Sequence, residues 1–131
     1  LYTEVVGVES DHDAAGFALE NIAGHGVANV RIINNEAENF ARSYAAKMRD
    51  STAREPDLVV LDPPRTGAAE VIPYLIDIAP RRIVYVSCEP TTLARDLRSL
   101  IDAGYALARI TGYDLFPQTY HVETVAALEK R

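Results

Sequence analysis

Leu58-Val59-Val60-Leu61-Asp62-Pro63-Pro64-Arg65 decides how the rest of the chain is read. Four apolar residues without a polar interruption mark a strand covered on both faces, the habit of parallel sheets flanked by helices. An aspartate and two prolines then cut the run, and neither proline has an N–H to give to a ladder. A strand therefore ends at Asp62, and a stiff turn follows whose carbonyls are open to a ligand.

Working outward toward the C-terminus, Ala68 to Ile78 carries a helical pattern in which Pro73 either kinks the helix or marks a late start. Arg82 to Ser87 is the next central strand, and Thr91 to Ala103 a helix closed by Gly104. Tyr105 to Tyr113 and His121 to Leu128 form a last pair of strands, joined through Phe116-Pro117. Toward the N-terminus, Glu4 to Glu9 is a buried strand ending on an acid. Asp11 caps a helix with Ala14, Ala15, Ala18, Leu19 and Ile22 at helical spacing, stopped at Gly24 and Gly26. Val30 to Ile33 is a short strand, and Glu38 to Arg49 a helix with polar faces that runs into a loop through Pro56. Strand–helix alternation closed by a strand pair predicts an α/β fold with an open sheet, mainly parallel with an antiparallel edge. Such sheets bind ligands at the carboxyl ends of their strands. Glu9, Asp62 and Ser87-Cys88 all fall there.

At 131 residues the chain has one domain's worth of sequence, and its 48% hydrophobic and 24% charged residues are ordinary for a globular protein. No apolar run approaches the ~20 residues of a bilayer span, and no signal segment opens the sequence, so a cytoplasmic address is expected. The single cysteine excludes an internal disulfide and leaves either an inert or a reactive thiol. A net charge of −6 has the wrong sign for a free-standing nucleic-acid binder. If RNA is the substrate, most of the backbone grip must come from elsewhere or from a few local arginines.

Four groups of residues carry chemistry. Glu9, at a strand end, can accept both hydroxyls of a ribose or stand as a solvated carboxylate. Asp62, held by the Pro-Pro turn, can face a planar imide edge or cap a helix, and Arg65 can reach a phosphate or form a surface ion pair. Ser87-Cys88-Glu89-Pro90-Thr91-Thr92 sets the only thiol between a strand and a helix N-terminus, where unpaired N–H groups favour the thiolate. A buried, inert cysteine is the alternative. Glu89 opposes thiolate formation, and Arg95 on the following helix is a candidate to offset it. Finally, His121 and Glu123 stand two apart on a strand and share a face. Either they point into one site, where Glu123 can serve as a base, or they line a polar outer face. His121 has no partner at metal-ligand spacing, so no metal site is expected.

Taken together these blocks resemble the RNA uracil-5-methyltransferases, which make 5-methyluridine in transfer RNA and large-subunit ribosomal RNA. The resemblance is carried by Gly7-Val8-Glu9, Asn35-Glu36-Ala37-Glu38, Leu61-Asp62-Pro63-Pro64-Arg65 and Val84-Tyr85-Val86-Ser87-Cys88-Glu89-Pro90. It continues through Thr92-Leu93-Ala94-Arg95-Asp96-Leu97, Asp114-Leu115-Phe116-Pro117-Gln118-Thr119 and His121-Val122-Glu123, in the family's order over nearly the whole chain. It implies a Rossmann-like methyltransferase fold and S-adenosylmethionine as cofactor. It implies Cys88 as nucleophile, Glu123 as base, Glu9 at the cofactor ribose, Glu36 beside the adenine and Asp62 facing the methionine end or the target uracil. Family members often carry Asn where Glu89 stands and His where Tyr120 stands. The Thr-Leu-Ala-Arg-Asp block leans toward the ribosomal RNA group.

Two rivals are weighed against this. A cytosine-5 methyltransferase of the same fold usually has a cysteine directly after the Asp-Pro-Pro turn, where Arg65 stands here. A catalytically incompetent fragment, or a non-enzymatic Rossmann-like interaction module, is the other. The resemblance makes residues 1–131 the C-terminal portion of a catalytic domain, without the family's first strand and its glycine-rich loop. Without that strand, the strands ending at Glu9 and Asp62 are expected either to pair directly or to leave edges open for self-association. Weak or absent cofactor binding by this chain alone is the corresponding expectation.

Overall fold

The computed structural model describes residues 2–115, 117–119 and 122–131. Among them the elements run β1 (Val5–Glu9), α1 (His12–Gly24), β2 (Val30–Asn34), α2 (Ala37–Arg49), β3 (Leu58–Leu61), α3 (Ile72–Ile78), β4 (Arg82–Ser87), α4 (Pro90–Asp102), β5 (Tyr105–Tyr113) and β6 (Glu123–Lys130). The α/β class expected from the alternation is present. No helix of the described residues is long and apolar enough to cross a membrane. The chain divides into two compact units, one through Ser43 and one from Tyr44 onward.

In the first unit β1 and β2 pair in parallel, from Val5 opposite Val30 to Glu9 opposite Asn34, with α1 as their crossover. Asp11 caps α1 as expected, its carboxylate accepting the Ala14 N–H at 2.8 Å. At Gly7 the tip of the Ile32 side chain fills the space a side chain would take, since a Cβ would stand 2.7 Å from Ile32 Cδ1. Beyond the ladder, the Asn34 amide donates to the carbonyls of Glu9 (2.9 Å) and Ser10 (3.1 Å), binding the two strand ends together.

The second unit holds a four-stranded sheet in the order β3-β4-β6-β5. β3 and β4 are parallel, and β6 is antiparallel to both β4 and β5. The antiparallel member is thus the inserted strand β6, while β5 at the edge runs with β3 and β4. Only nine residues separate Tyr113 from Glu123, fewer than the roughly dozen residues a parallel crossover needs, so β6 must return beside β5. Alternation puts Ile83, Tyr85 and Ser87 of β4 on one buried face, opposite Leu128, Ala126 and Thr124 of β6. α4 buries Leu93, Asp96, Leu97 and Leu100, and α3 buries Ile72, Leu75 and Ile78. Of the two options for residues 68–78, the late start holds. Pro73 sits in the first turn of α3, where its missing N–H costs nothing.

β1 pairs only with β2 and β3 only with β4, so the strands ending at Glu9 and Asp62 do not pair directly. Each keeps one edge without a strand partner among the described residues. β6 runs from Glu123 to Lys130, the latter opposite Tyr105, and the expected start at His121 lies outside the described residues.

Two buried tyrosines tie stability to pH. Tyr105 is 2% exposed and its hydroxyl donates to Pro80 O at 2.8 Å. Burial, with the charge of Glu55, pushes its hydroxyl up to about 12 from an ordinary 10.0. Tyr85 is raised as well, by burial and then by its hydrogen bond to Asp96. Both folded-state values lie above the unfolded ones, so their contribution is whole below pH 10.0 and is lost as the pH climbs toward about 12. Alkaline unfolding should therefore coincide with the last part of the rise in tyrosinate absorbance near 295 nm. All seven tyrosines ionising with the fold intact would contradict this.

Candidate active site

Three of the chemistry-bearing residues gather at one end of the four-stranded sheet. β3 and β4 both finish there: Leu61 pairs with Tyr85, and Asp62 and Cys88 follow the two strands. β6, running the other way, starts at the same end. Its ladder with β4 closes on Ser87 opposite Thr124, and the next residues outward are Cys88 on one strand and Glu123 on the other. Thiol and carboxylate therefore stand at the mouth of the same ladder.

The environments of the three differ. Asp62 is exposed, with no hydrogen bond or ion pair among the described residues. Cys88 is half-buried, at the junction of β4 and α4. The Ser87 hydroxyl closes a turn across it, accepting the Glu89 N–H at 3.0 Å and facing the Glu89 carbonyl at 3.1 Å. Glu123 is half-buried, and its Oε2 is fully covered with no hydrogen-bond partner among the described residues. A covered carboxylate oxygen without a donor is costly unless a ligand completes it, which makes this atom a candidate proton acceptor.

Glu89 turns out to be the N-cap of α4, its carboxylate accepting the Thr91 N–H at 3.2 Å. Arg95, the candidate to offset Glu89, is tied to its neighbour on the helix and to the turn after β3. The Arg95 guanidinium is held by Asp96 Oδ1 (2.9 Å from Nε, 2.8 Å from Nη2) and donates to Thr66 O at 2.9 Å. Asp96 is 1% exposed, and its Oδ2 accepts from the Tyr85 hydroxyl at 2.6 Å and the Ala68 N–H at 2.7 Å. Thr92 Oγ1 adds a bond to Arg65 O at 2.9 Å. The turn after Asp62 is thus stitched to the helix that starts just after Cys88.

The sequence reading missed Asp96, Thr92 and Tyr85. The available signal was an aspartate among Leu93, Leu97 and Leu100 on the buried stripe of α4, where an ionisable residue needs partners. Gly67 belongs to the same junction. It sits at φ +80°, and a Cβ there would stand 2.6 Å from both Arg95 Nη2 and Asp96 Oδ2. Gly67→Ala should cost about 1–2 kcal/mol in backbone strain alone, and more for displacing the buried carboxylate. Urea denaturation measures it, and an unchanged midpoint would contradict this packing.

The remaining sites fall as follows. Arg65 is exposed, and its guanidinium forms no ion pair among the described residues, so the surface-pair alternative is not realised. In the first unit Glu9 ends β1, its Oε1 accepting the Asp11 N–H at 2.8 Å. Glu36 lies exposed just beyond β2 and before α2, at the same carboxyl edge as Glu9. His121 lies outside the described residues.

A family model described as tRNA (Uracil-5-)-methyltransferase matches residues 1–131, the entire chain. The chain belongs to that family. Among the uracil-5-methyltransferases, a 23S rRNA (uracil(1939)-C(5))-methyltransferase of Klebsiella pneumoniae is 43% identical over 128 residues, covering 97% of this chain and 28% of the relative. An uncharacterised RNA methyltransferase of Caldanaerobacter subterraneus is 46% identical over 127 residues, covering 96% and 27%. The chain thus spans about a quarter of the length of these relatives. The solved tRNA (uracil-54, C5)-methyltransferase of Pyrococcus abyssi, in complex with S-adenosyl-L-homocysteine, superposes with a TM-score of 0.75 at 31% identity, over 95% of this chain and 28% of that one. A Pyrococcus horikoshii NSun6 structure shares the fold at 16% identity and a TM-score of 0.73. The fold is the Rossmann-like methyltransferase fold implied by the family's motifs.

Proposed function

We propose that the protein carrying this chain is an S-adenosylmethionine-dependent RNA (uracil-5-)-methyltransferase, with ribosomal RNA favoured over transfer RNA. By this reading residues 1–131 form the C-terminal portion of its catalytic domain, and its place is the cytoplasm. The observation that carries it is the juxtaposition of Cys88 and Glu123 at the mouth of the β4–β6 ladder, with Glu123 Oε2 covered and unpartnered among the described residues. Favouring ribosomal RNA rests on the Thr92 to Leu97 block and on the 43% identity to a 23S rRNA enzyme.

In the proposed reaction the Cys88 thiolate adds to carbon 6 of uracil, forming the Sγ–C6 bond and pushing electrons toward carbon 5. S-adenosylmethionine supplies the methyl group. Glu123 then takes the carbon 5 proton, the 5,6 double bond re-forms, and the Sγ–C6 bond breaks to release Cys88. Asp62, exposed and without a partner among the described residues, can accept the imide N–H of the base and fix its orientation. Arg65 can hold a phosphate of a flipped-out or looped nucleotide, since a paired base cannot reach such an edge. The donor set also suits the cofactor. Glu9 takes one hydrogen bond through Oε1, leaving acceptor capacity for ribose hydroxyls. Glu36, exposed between β2 and α2, is the residue proposed to stand beside the adenine. Open strand edges template pairing, so the chain studied alone is proposed to self-associate.

Nucleoside mass spectrometry of RNA treated with the full-length protein and S-adenosylmethionine tests the reading. It expects 5-methyluridine. Finding 5-methylcytosine instead, or no base methylation, would overturn it.

A further inference from the structure

The turn after β3 and the turn after β4 each carry an exposed or half-buried reactive side chain, Asp62 and Cys88, and one helix side joins them. From α4, Thr92 Oγ1 binds Arg65 O, Arg95 Nη2 binds Thr66 O, and Asp96 Oδ2 binds Ala68 N–H. Three successive α4 contacts thus hold residues 65, 66 and 68 by their backbones. The same Thr92 hydroxyl lies 3.2 Å from the Glu89 carbonyl, beside the Ser87 turn that wraps Cys88. Gly67 completes the junction, since any Cβ would drive the turn away from Arg95 and Asp96.

A polar cluster of this kind is expensive to bury. An apolar pairing of the two layers would hold the fold as well, because buried ion pairs contribute little net stability. What such a cluster adds is a fixed geometry. Charge-assisted and backbone-directed hydrogen bonds allow one relative placement, where apolar contacts allow sliding.

We propose that Asp96, Arg95 and Thr92 are positioning residues, which hold the Asp62–Gly67 turn at a fixed distance and angle from Cys88. The inference rests on the uracil-5 reading above. Asp62 would orient the base while Cys88 attacks carbon 6, so an error in their spacing misaligns the attack without removing either group. Asp96 is the hub, binding Arg95 through one oxygen and both Tyr85 and the turn through the other. Thr92 and Arg95 are its less buried arms, and changing them leaves the hub in place.

The test uses the full-length protein and RNA carrying 5-fluorouridine, in which the fluorine blocks release and the covalent adduct accumulates. Thr92→Val and Arg95→Lys should slow adduct formation at saturating RNA and S-adenosylmethionine by on the order of 10- to 100-fold, the scale of a small misplacement of reacting groups. KM for RNA and Tm should change little. Tyr105→Phe serves as a stability control, since it loses the bond to Pro80 O at the far end of the sheet. It should lower Tm while keeping the wild-type adduct rate. Wild-type adduct rates in both α4 variants, or a rise in KM alone, would overturn the positioning role while leaving the uracil-5 reading intact. Absence of an adduct in the wild type would remove that reading, and this inference with it.

Discussion

Cys88→Ala is expected to abolish methyl transfer and covalent capture of RNA together, while the protein remains folded. The expected loss of turnover is on the order of a million-fold, the scale seen when a covalent nucleophile is deleted from an enzyme. Carbon 5 of uracil is a poor nucleophile toward a sulfonium methyl group, and addition at carbon 6 is what activates it. The chain has no second thiol to take its place, and Asp62 and Glu123 at the same end of the sheet are carboxylates. The structural cost should be small. Cys88 is half-buried on a turn already closed by Ser87 and Glu89, and the substitution removes one sulfur atom. Circular dichroism and Tm close to wild type, with turnover at background, is the expected pair of results. Turnover within an order of magnitude of wild type would show that the thiol is not the nucleophile.

Glu123→Gln is expected to act later in the cycle and to leave a different signature. The amide keeps the volume of the carboxyl group but cannot take up the carbon 5 proton. Loss of a general base costs on the order of 100- to 10,000-fold in turnover. Addition of Cys88 and arrival of the methyl group precede that proton transfer, so the variant should accumulate a covalent protein–RNA species that already carries the methyl group. Labelled methyl migrating with the protein on a denaturing gel reads this out. The Oε2 atom, covered and unpartnered among the described residues, sharpens the expectation, because glutamine puts either a donor or a weaker acceptor where the proton must go. Equal turnover, or a variant arrested before methylation, would assign the base elsewhere.

Most of the fold was legible because its strands announce themselves. Leu58–Leu61, Arg82–Ser87 and Tyr105–Tyr113 are rich in β-branched, aromatic or aliphatic residues, and their structural limits coincide with those read from the residues. Asp11 was legible as a cap for the same local reason. The start of α3 was open, since a proline is compatible with either a kink or a first turn, and the structure has Pro73 in the first turn. What a local reading could not supply was partnership. Nothing near Glu123 says that β6 enters between β4 and β5, yet that insertion is what sets Glu123 at the same ladder end as Cys88.

Arg95 shows the same limit more sharply. As a residue one turn into a helix beside Glu89, it was read as a counter-charge for the thiol's neighbour. Its actual partners, Asp96 and Thr66 O, depend on a turn 29 residues away in sequence. Asp96 itself was quoted only as part of a motif. Its place on the buried stripe with Leu93, Leu97 and Leu100 was the clue that it needed partners. The cysteine could be singled out by position, and the scaffold that aims it required the fold.

Peptide mapping of the trapped complex tests the central claim most directly. Full-length wild-type protein is incubated with S-adenosylmethionine and RNA containing 5-fluorouridine, digested, and the peptide bearing the nucleotide is sequenced by mass spectrometry. The account predicts one modified peptide, spanning Ile83 to Arg95, with the methylated fluorouridine attached at Cys88. A nucleotide attached at any other residue, or no covalent complex at all, would contradict it.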